Sequence, residues 1–572
     1  MTTHRPDTRP PRRPLDISDV LRLQSFHDSH GRSAAFSADG RKLAFCSQRP
    51  LSTATAHRDW PMTGIARGEL HIVDITSGHI KQVASPDDLF SPSWSPCGNY
   101  LAFGEASEQA VRLTLMDLRT GARSSPLPGQ LQLVGMPTFA WLGPGRLVCA
   151  LVSGARAPDT LDLERRGANR AARFWQSLET PGQCTASALQ SLGDEPAHSN
   201  PDRTEFVIYD TALRRCTPLD PAAQEPRAHD FRRRFESFER EVAQCDGAVP
   251  NGALLAVHAP SKQAAFLVED EQGSRITLLN TESHAQTVLF HVNTHLQEVR
   301  AGQVRDIDYV DAKGKPARVR MLLPPDHVEG VPCPAVFWVY PGAVPGPSAR
   351  HLLKPHEAGP FNLQLLAARG YIVVEPALPI DPMPGSPDLA QALAGHIKTA
   401  IEHCLQSGLV DARRMHVFGH SFGGWAVMSL LTTTGFFRSG ISMAGMSNLV
   451  SLHGSFDPRF RYDESLPQGN RSPMLVEAIF GLKTPPWKDL DAYVRHSPLF
   501  AVENISVPLM IVQGDQDYIP ISQGEEMFTA LQRLGKKASF VRYWGEGHML
   551  SGKANIEDRW LRIFDWLEEH SR

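Results

Sequence analysis

Gly419-His420-Ser421-Phe422-Gly423-Gly424 decides the fold of this chain. It has the form G-x-S-x-G. The apolar run Met415-His416-Val417-Phe418 leads in, and Trp425-Ala426-Val427-Met428-Ser429-Leu430-Leu431, compatible with a helix, leads out. Strand, sharp turn and helix are the setting in which this motif forms a nucleophile elbow. The turn is tight enough to strain the serine backbone, and only small residues fit beside it. Gly419, Gly423 and Gly424 supply that room. A serine oxygen held there stands at the C-terminal edge of a sheet. It lies beside a helix N-terminus whose free N–H groups favour a developing oxyanion.

Small residues recur in ordinary turns, so the weight falls on the residues C-terminal to the elbow. A hydrolase built on this elbow takes its triad in the chain order Ser, Asp or Glu, His. Downstream, Pro508-Leu509-Met510-Ile511-Val512 is a buried-strand pattern running into the acidic turn Gln513-Gly514-Asp515-Gln516-Asp517-Tyr518-Ile519-Pro520. Further on, Phe540-Val541-Arg542-Tyr543 is a second strand, ending at Trp544-Gly545-Glu546-Gly547-His548. Catalytic groups of open α/β sheets sit where strands give way to loops. Taken alone, His548 is one of 23 histidines and reads as a surface-loop residue. After Ser421 and an acid in the right order it reads as the general base.

These segments together resemble the catalytic domain of the prolyl oligopeptidase family of serine peptidases. The shared marks are G-H-S-F-G-G, then His496-Ser497-Pro498-Leu499, then G-D-Q-D-Y-I-P, then G-E-G-H, over roughly residues 300 to 572. The resemblance implies a catalytic triad of Ser421, Asp517 and His548. By family position Asp517 is the acid, with Asp515 its rival. His548 would take the serine proton and return it to the leaving amine, while Asp517 fixes the imidazole tautomer. The oxyanion hole needs two donors. One is the backbone N–H of Phe422, the residue after the nucleophile. The other is the hydroxyl of Tyr340, which ends the apolar run Pro334-Ala335-Val336-Phe337-Trp338-Val339 at a Pro-Gly turn. Several family members use a tyrosine there; the alternative is that Tyr340 merely ends a strand. The Trp-Val-Tyr-Pro-Gly wording looks closest to the acylaminoacyl-peptidase-like and glutamyl-endopeptidase-like branches.

The N-terminal half carries a weak repeat. Phe36-Ser37-Ala38-Asp39-Gly40-Arg41-Lys42-Leu43-Ala44-Phe45 is echoed by Trp94-Ser95-Pro96-Cys97-Gly98-Asn99-Tyr100-Leu101-Ala102-Phe103, and more faintly by residues 140–149. A second unit, Leu70-His71-Ile72-Val73-Asp74-Ile75-Thr76-Ser77-Gly78, recurs at 113–121, its aspartate 43 residues on (117 − 74). Later echoes are Val207-Ile208-Tyr209-Asp210 and Ile276-Thr277-Leu278-Leu279-Asn280. Short strands, turn residues and a period in the forties point to β-propeller blades, with a β-sandwich as the plainer alternative. Room remains for six or seven blades. Residues 152–204 fit the period least and read as an inter-blade insertion, a candidate to face the active site.

The expected architecture is therefore a disordered tail and short helix over residues 1–29, a β-propeller over 30–300, and an α/β-hydrolase domain with a doubly wound, mostly parallel sheet over 301–572. Residues 15–23 read as the short helix. A chain of 572 residues accommodates two domains. A hydrophobic fraction of 41% and a charged fraction of 21% describe a globular protein. A net charge of −4 gives no case for nucleic acid. The eight cysteines (46, 97, 149, 184, 216, 245, 333 and 404) are scattered with no C-x-x-C pair, which reads as reduced thiols in the cytoplasm. His416 and His420 straddle a strand and a turn, so no metal pair is expected. No apolar run reaches membrane-spanning length.

The expected activity is that of a serine peptidase on short or N-blocked peptides, without a cofactor, membrane or nucleic acid, and with the propeller limiting substrate size. Homo-oligomerisation is left open. An esterase, a thioesterase or an isopeptidase would share the triad chemistry. A binding module with a dead hydrolase is a further alternative. Bond preference is less legible. No Glu-Glu pair of the dipeptidyl peptidase kind precedes residue 300, and Phe235–Glu241 offers only spaced acids on a solvated helix. The family's Arg-Gly-x-x-Gly segment is replaced by Glu375-Pro376-Ala377-Leu378-Pro379-Ile380-Asp381-Pro382-Met383-Pro384-Gly385.

Overall fold

The repeated aspartates of the N-terminal half have a physical function: each ends a strand with its own side chain. Asp74 Oδ1 accepts from the N–H groups of Thr76 and Ser77, and Asp117 Oδ1 from those of Arg119 and Thr120. Asp210 does the same for Ala212 and Leu213, and Asn280 for Glu282 and Ser283. Such turns mimic a backbone turn and reverse the chain. Gly78 and Gly121 follow with φ of 71° and 74°, where a Cβ would be strained.

The computed structural model describes residues 12–26, 33–54, 68–85, 88–107, 110–132, 138–152, 163–177, 204–219, 250–311, 314–346, 351–380, 388–462 and 472–572. They fall into two compact units. One comprises the described parts of Leu21–Leu163 and Asn200–Gln297, the other those of Met1–Val20, Glu164–Ser199 and Glu298–Arg572.

The first unit contains four antiparallel sheets of four strands each among the described residues. In every sheet the strands follow chain order, and the Asx turn closes the third strand. Alternating side chains give each strand residues on both faces of its sheet, and the apolar faces pack against neighbouring sheets. Ala44 and Leu70 of the first sheet pack with Leu89 and Phe103 of the second. Phe90 and Leu113 of the second pack with Leu147 and Val207 of the third. Phe45 and Val73 of the first pack with Ala265 and Ile276 of the fourth. The sheets are thus arranged third, second, first, fourth. The Phe235–Glu241 segment lies outside the described residues.

The second unit is built on an eight-stranded sheet. Its strands are β1 (Gln303–Val310), β2 (Pro316–Leu323), β3 (Cys333–Trp338), β4 (Ile372–Pro376), β5 (Val410–His420), β6 (Ser439–Met443), β7 (Leu509–Gly514) and β8 (Ala538–Tyr543). The spatial order is β1-β2-β4-β3-β5-β6-β7-β8, with β1 and β2 antiparallel and every pair from β4 onward parallel. This is the mostly parallel α/β-hydrolase sheet that the sequence implied. Ile372, Val373 and Val374, buried on both faces, read as the continuous apolar run of a central strand.

Helices cover the sheet. Helix α1 (Leu163–Ser177) comes from the segment read as an insertion. In α2 (Leu389–Gln406), Leu389, Leu393, Ile397, Ala400, Ile401 and Cys404 form one buried stripe, and Asp388 caps the first turn through the Gln391 N–H. Helix α3 (Phe422–Thr433) is apolar nearly all round and is buried accordingly. Helix α4 (Lys553–Ser571) ends the chain.

The tail departs from expectation at its inner end. Arg13 and Pro14 form a short parallel strand with Val299 and Arg300, and Arg13 makes two hydrogen bonds, of 2.6 and 2.7 Å, to the fully buried Asp19. A carboxylate taken out of water needs such a partner, and that anchors the chain. The following helix is shorter than read, covering Ile17–Leu21.

Candidate active site

The elbow forms because β5 and α3 meet at a single strained residue. Ser421 has φ 60° and ψ −120°, a conformation that costs a non-glycine residue roughly 1–3 kcal/mol. Burial of α3 over-determines it: Ser421 N–H donates to Met443 O at 2.8 Å, and Trp425 N–H to Ser421 O at 3.1 Å. A Cβ on Gly419 would lie 2.3 Å from Gly423 O, and one on Gly423 would lie 2.3 Å from Val339 O. No other residue type fits at either position.

Ser421, His548 and Asp517 lie on one hydrogen-bonded line. His548 Nε2 is 2.8 Å from Ser421 Oγ, and His548 Nδ1 is 2.9 Å from Asp517 Oδ1. The serine comes from the end of β5, the aspartate from the loop after β7 and the histidine from the loop after β8, so parallel strands of one sheet deliver all three to one edge. Asp515 faces elsewhere: its carboxylate accepts from the Gly545 N–H and the Gln516 side chain.

Electrostatics favour a neutral imidazole. Burial pushes His548 down to about 3, helped by the Arg459 guanidinium. Burial raises the Asp517 carboxyl, while the Ile519 N–H, at 2.8 Å from Oδ1, and Arg459 pull it back toward the carboxylate. A neutral His548 with its proton on Nδ1 leaves Nε2 free to accept.

The two oxyanion candidates sit on either side of the elbow. Phe422 opens α3. Tyr340 is 38% exposed, with its ring 6.3 Å from and perpendicular to that of Phe422. The residue is thus not packed wholly into the core. Tyr340 also lines a small cleft with Trp338, Ala343, Pro345, Glu375 and Pro376. Glu375 and Pro376, which open the altered segment, thus lie beside Tyr340; residues 381–387 are outside the described set.

Residues 358–572 match the model of the prolyl oligopeptidase family. That stretch, less than half of the chain, is similar to the family. Its curated relatives include an uncharacterised peptidase, YuxL, of Bacillus subtilis, 26% identical over 226 residues, which are 36% of this chain and 31% of that protein. A probable chloroplastic glutamyl endopeptidase of Arabidopsis thaliana is 25% identical over 279 residues, 45% of this chain and 27% of that protein. The chain therefore spans about a third or less of the length of these relatives. Among solved structures, an acylaminoacyl peptidase of Pyrococcus horikoshii superposes with a TM-score of 0.60 at 13% identity, covering 97% of each chain. The AtxE2 isopeptidase superposes with a TM-score of 0.60 at 14% identity, covering 98% of this chain and 96% of that one. At these identities the likeness is one of fold.

Within this prolyl-oligopeptidase-like domain the structure adds residues that the motifs alone did not single out. His420, inside the elbow, donates from Nε2 to the His548 carbonyl at 2.7 Å, and its ring lies 4.6 Å from that of His548. Burial, the neighbouring His548 and Arg559 keep His420 far below the usual histidine range. Glu546 is fully buried and accepts from Ser551 N, Gly552 N and Asn555 Nδ2, shaping the loop that carries His548. His496 and Ser497 are structural: His496 O takes the Trp425 indole N–H, and Ser497 joins the Leu449 N–H to Tyr493 O. The six described cysteines are free thiols; Cys184 and Cys245 lie outside the described residues. Among the described residues no helix is long and apolar enough to cross a membrane.

Proposed function

We propose that the protein is a serine peptidase that hydrolyses short or N-blocked peptides through an acyl-enzyme, with Ser421 as nucleophile, His548 as general base and acid, and Asp517 as orienting carboxylate. The observation that carries this reading is the 2.8 and 2.9 Å line from Ser421 through His548 to Asp517 at a strained elbow. Ser421 Oγ attacks the scissile carbonyl carbon, its proton passes to His548 Nε2, and the carbonyl π electrons move to oxygen. The Tyr340 hydroxyl and the Phe422 N–H receive that oxyanion. The C–N bond then breaks as His548 protonates the amine, and water repeats the sequence on the ester. Every proton in this scheme moves between groups of the chain, substrate and water.

The family supports peptide substrates, and the glutamyl endopeptidase and acylamino-acid-releasing relatives favour internal or blocked bonds. A dipeptidyl peptidase family member is also among the relatives, so it is the lack of a Glu-Glu pair before residue 300 that speaks against free dipeptidyl ends. A second reading, isopeptidase activity on a side-chain-linked peptide, is favoured by the whole-chain likeness to the AtxE2 isopeptidase. We further infer that the four antiparallel sheets are propeller blades that limit substrate size, and that the protein works in the cytoplasm, where its scattered cysteines stay reduced. A cleavage profile over a peptide library, with free, acylated and isopeptide-linked substrates read separately and matched esters alongside, tests these assignments. Acyl-peptide or internal cleavage supports the first reading. Exclusive isopeptide cleavage supports the second, and ester-only turnover contradicts both. Cleavage of a folded protein as fast as its matched peptide contradicts the size limit.

A further inference from the structure

A row of charge that the proposed chemistry leaves unused runs across the sheet to the cleft beside Tyr340. Asp306 on β1, Arg320 on β2 and Glu375 on β4 stand opposite one another in register on three neighbouring strands. Directly opposed residues of antiparallel strands share a face of the sheet, so the three side chains form one line. Arg320 and Glu375 are buried, at 1% and 4% exposure. The Arg320 guanidinium forks onto Asp306, with Nε 2.8 Å from Oδ1 and Nη2 2.8 Å from Oδ2. Two residues along each strand lies a second fork, in which Arg318 Nε and Nη2 donate to the Asp308 carboxylate at 2.6 and 3.0 Å.

Both arginines reach one further acceptor. Arg320 Nη2 donates to Gly346 O at 2.8 Å, and Arg318 Nη1 donates to the same oxygen at 3.3 Å. Gly346 ends the described part of the loop that begins at Tyr340. The middle of that loop is held by the altered segment: Gly342 N–H donates to Leu378 O at 2.7 Å, and Leu378 N–H donates to Ala343 O at 2.8 Å. Just before the loop, Val339 N–H donates to Phe418 O at 2.9 Å, on the strand that leads into Ser421. Tyr340 and Glu375 line one cleft, so the row of charge ends beside the tyrosine that the clamped loop carries.

We propose that Arg320 is a positioning residue of the oxyanion hole: by holding Gly346 O together with Asp306 it fixes the Tyr340 loop, and with it the place of the Tyr340 hydroxyl. This rests on Tyr340 being an oxyanion donor. Tyr340 is 38% exposed, so core packing alone does not settle where it stands. An oxyanion donor acts by already standing where charge will develop, and a misplacement of about 1 Å can cost about 10²-fold in rate. Arginine suits the task because its planar fork grips a carboxylate with two parallel bonds and keeps further N–H groups for a carbonyl. Lysine keeps the charge but is a point charge on a flexible stem, so it cannot hold both acceptors in that geometry. The altered segment gains a part in the same device, since Glu375 closes the row and the Leu378 backbone pins the loop.

The test is a double-mutant cycle on the full chain. The rate of fluorophosphonate labelling at Ser421, and kcat and KM for a short p-nitrophenyl ester, are measured for wild type, Arg320→Lys, Tyr340→Phe and the double variant. Arg320→Lys is expected to lower kcat and the labelling rate about tenfold with KM little changed. In the Tyr340→Phe background the same substitution is expected to change both rates by no more than about twofold, because the group it positions is gone. A general loss of structure would lower the rates equally in both backgrounds. Wild-type rates in Arg320→Lys overturn the proposal, and so do losses that multiply in the double variant. Tyr340→Phe rates equal to those of wild type overturn the oxyanion reading of Tyr340, and the role of Arg320 with it. Asp306→Asn approaches the clamp from its partly exposed side and keeps the side-chain volume, so the outcome does not depend on whether Arg320→Lys folds. It is expected to lower both rates several-fold with the same dependence on Tyr340, and losses that multiply there overturn the proposal equally.

Discussion

His420 Nε2 donates to the carbonyl oxygen of His548 across 2.7 Å, tying the residue before Ser421 to the backbone of His548. The elbow and the histidine loop are therefore one unit, and an error in either is transmitted to the Ser421–His548 distance. In His420→Phe the His548 carbonyl loses its donor while the cavity beside Phe361 stays filled. An unsatisfied buried acceptor costs about 1–3 kcal/mol. Denaturant unfolding should show a loss in that range, and kcat should fall while KM changes little.

Acid should affect stability before it affects the base. His416, His420 and His548 are all shifted downward by burial, His416 and His548 to about 3. A depressed histidine stabilises the fold above its unfolded value near 6.5, and that contribution is lost as pH falls toward the folded value. Between those limits the unfolded chain binds more protons, so each such histidine costs up to about 1.4 kcal/mol per pH unit. Unfolding free energy measured from pH 7 to pH 4 should drop steeply. Over the range where the protein stays folded, kcat/KM should show no histidine limb near 6.5.

Asp517→Asn and Asp515→Asn separate the two acids. The first leaves His548 without its carboxylate and favours the wrong tautomer, which in a serine triad costs about 10⁴-fold in kcat. The second disturbs only the turn at Gly545 and should leave kcat within a few-fold of wild type. Equal effects of the two substitutions would contradict the assignment of Asp517.

Tyr340→Phe should lower kcat by roughly 10²–10³ with KM little changed, because the hydroxyl meets the oxyanion only as charge develops. An unchanged kcat would reduce Tyr340 to a residue that ends β3 and borders the cleft with Glu375.

The elbow, the strand-end loops that carry Asp517 and His548, and the strand repeats were legible because each rests on local chemistry: glycines that admit a close approach, and an aspartate that closes its own turn. The residues packed around Ser421 and His548 were not, because their partners are distant in sequence. His420 occupies the variable position of G-x-S-x-G, and only the fold brings it 128 residues along the chain to His548 O. Tyr518 reads only as part of the acidic turn until the ring of His548 is placed 4.3 Å from its own. Helix α1 was hidden by Arg165, Arg166 and Gly167, which look like helix-poor insertion sequence. It is supported by tertiary contacts instead: the Phe174 ring lies 4.7 Å from that of Tyr462, and Arg170 donates to Arg459 O. The Arg13–Asp19 pair was likewise masked by a tail composition that reads as disordered.

A Ser421 that forms a covalent intermediate with its substrate should react with a fluorophosphonate, and peptide mass analysis locates the label. One label per chain is expected, on Ser421. Ser421→Ala should take no label, with turnover reduced by several orders of magnitude and the fold intact by circular dichroism. A label on another residue, or more than about a tenth of wild-type turnover in Ser421→Ala, would contradict the assignment of Ser421.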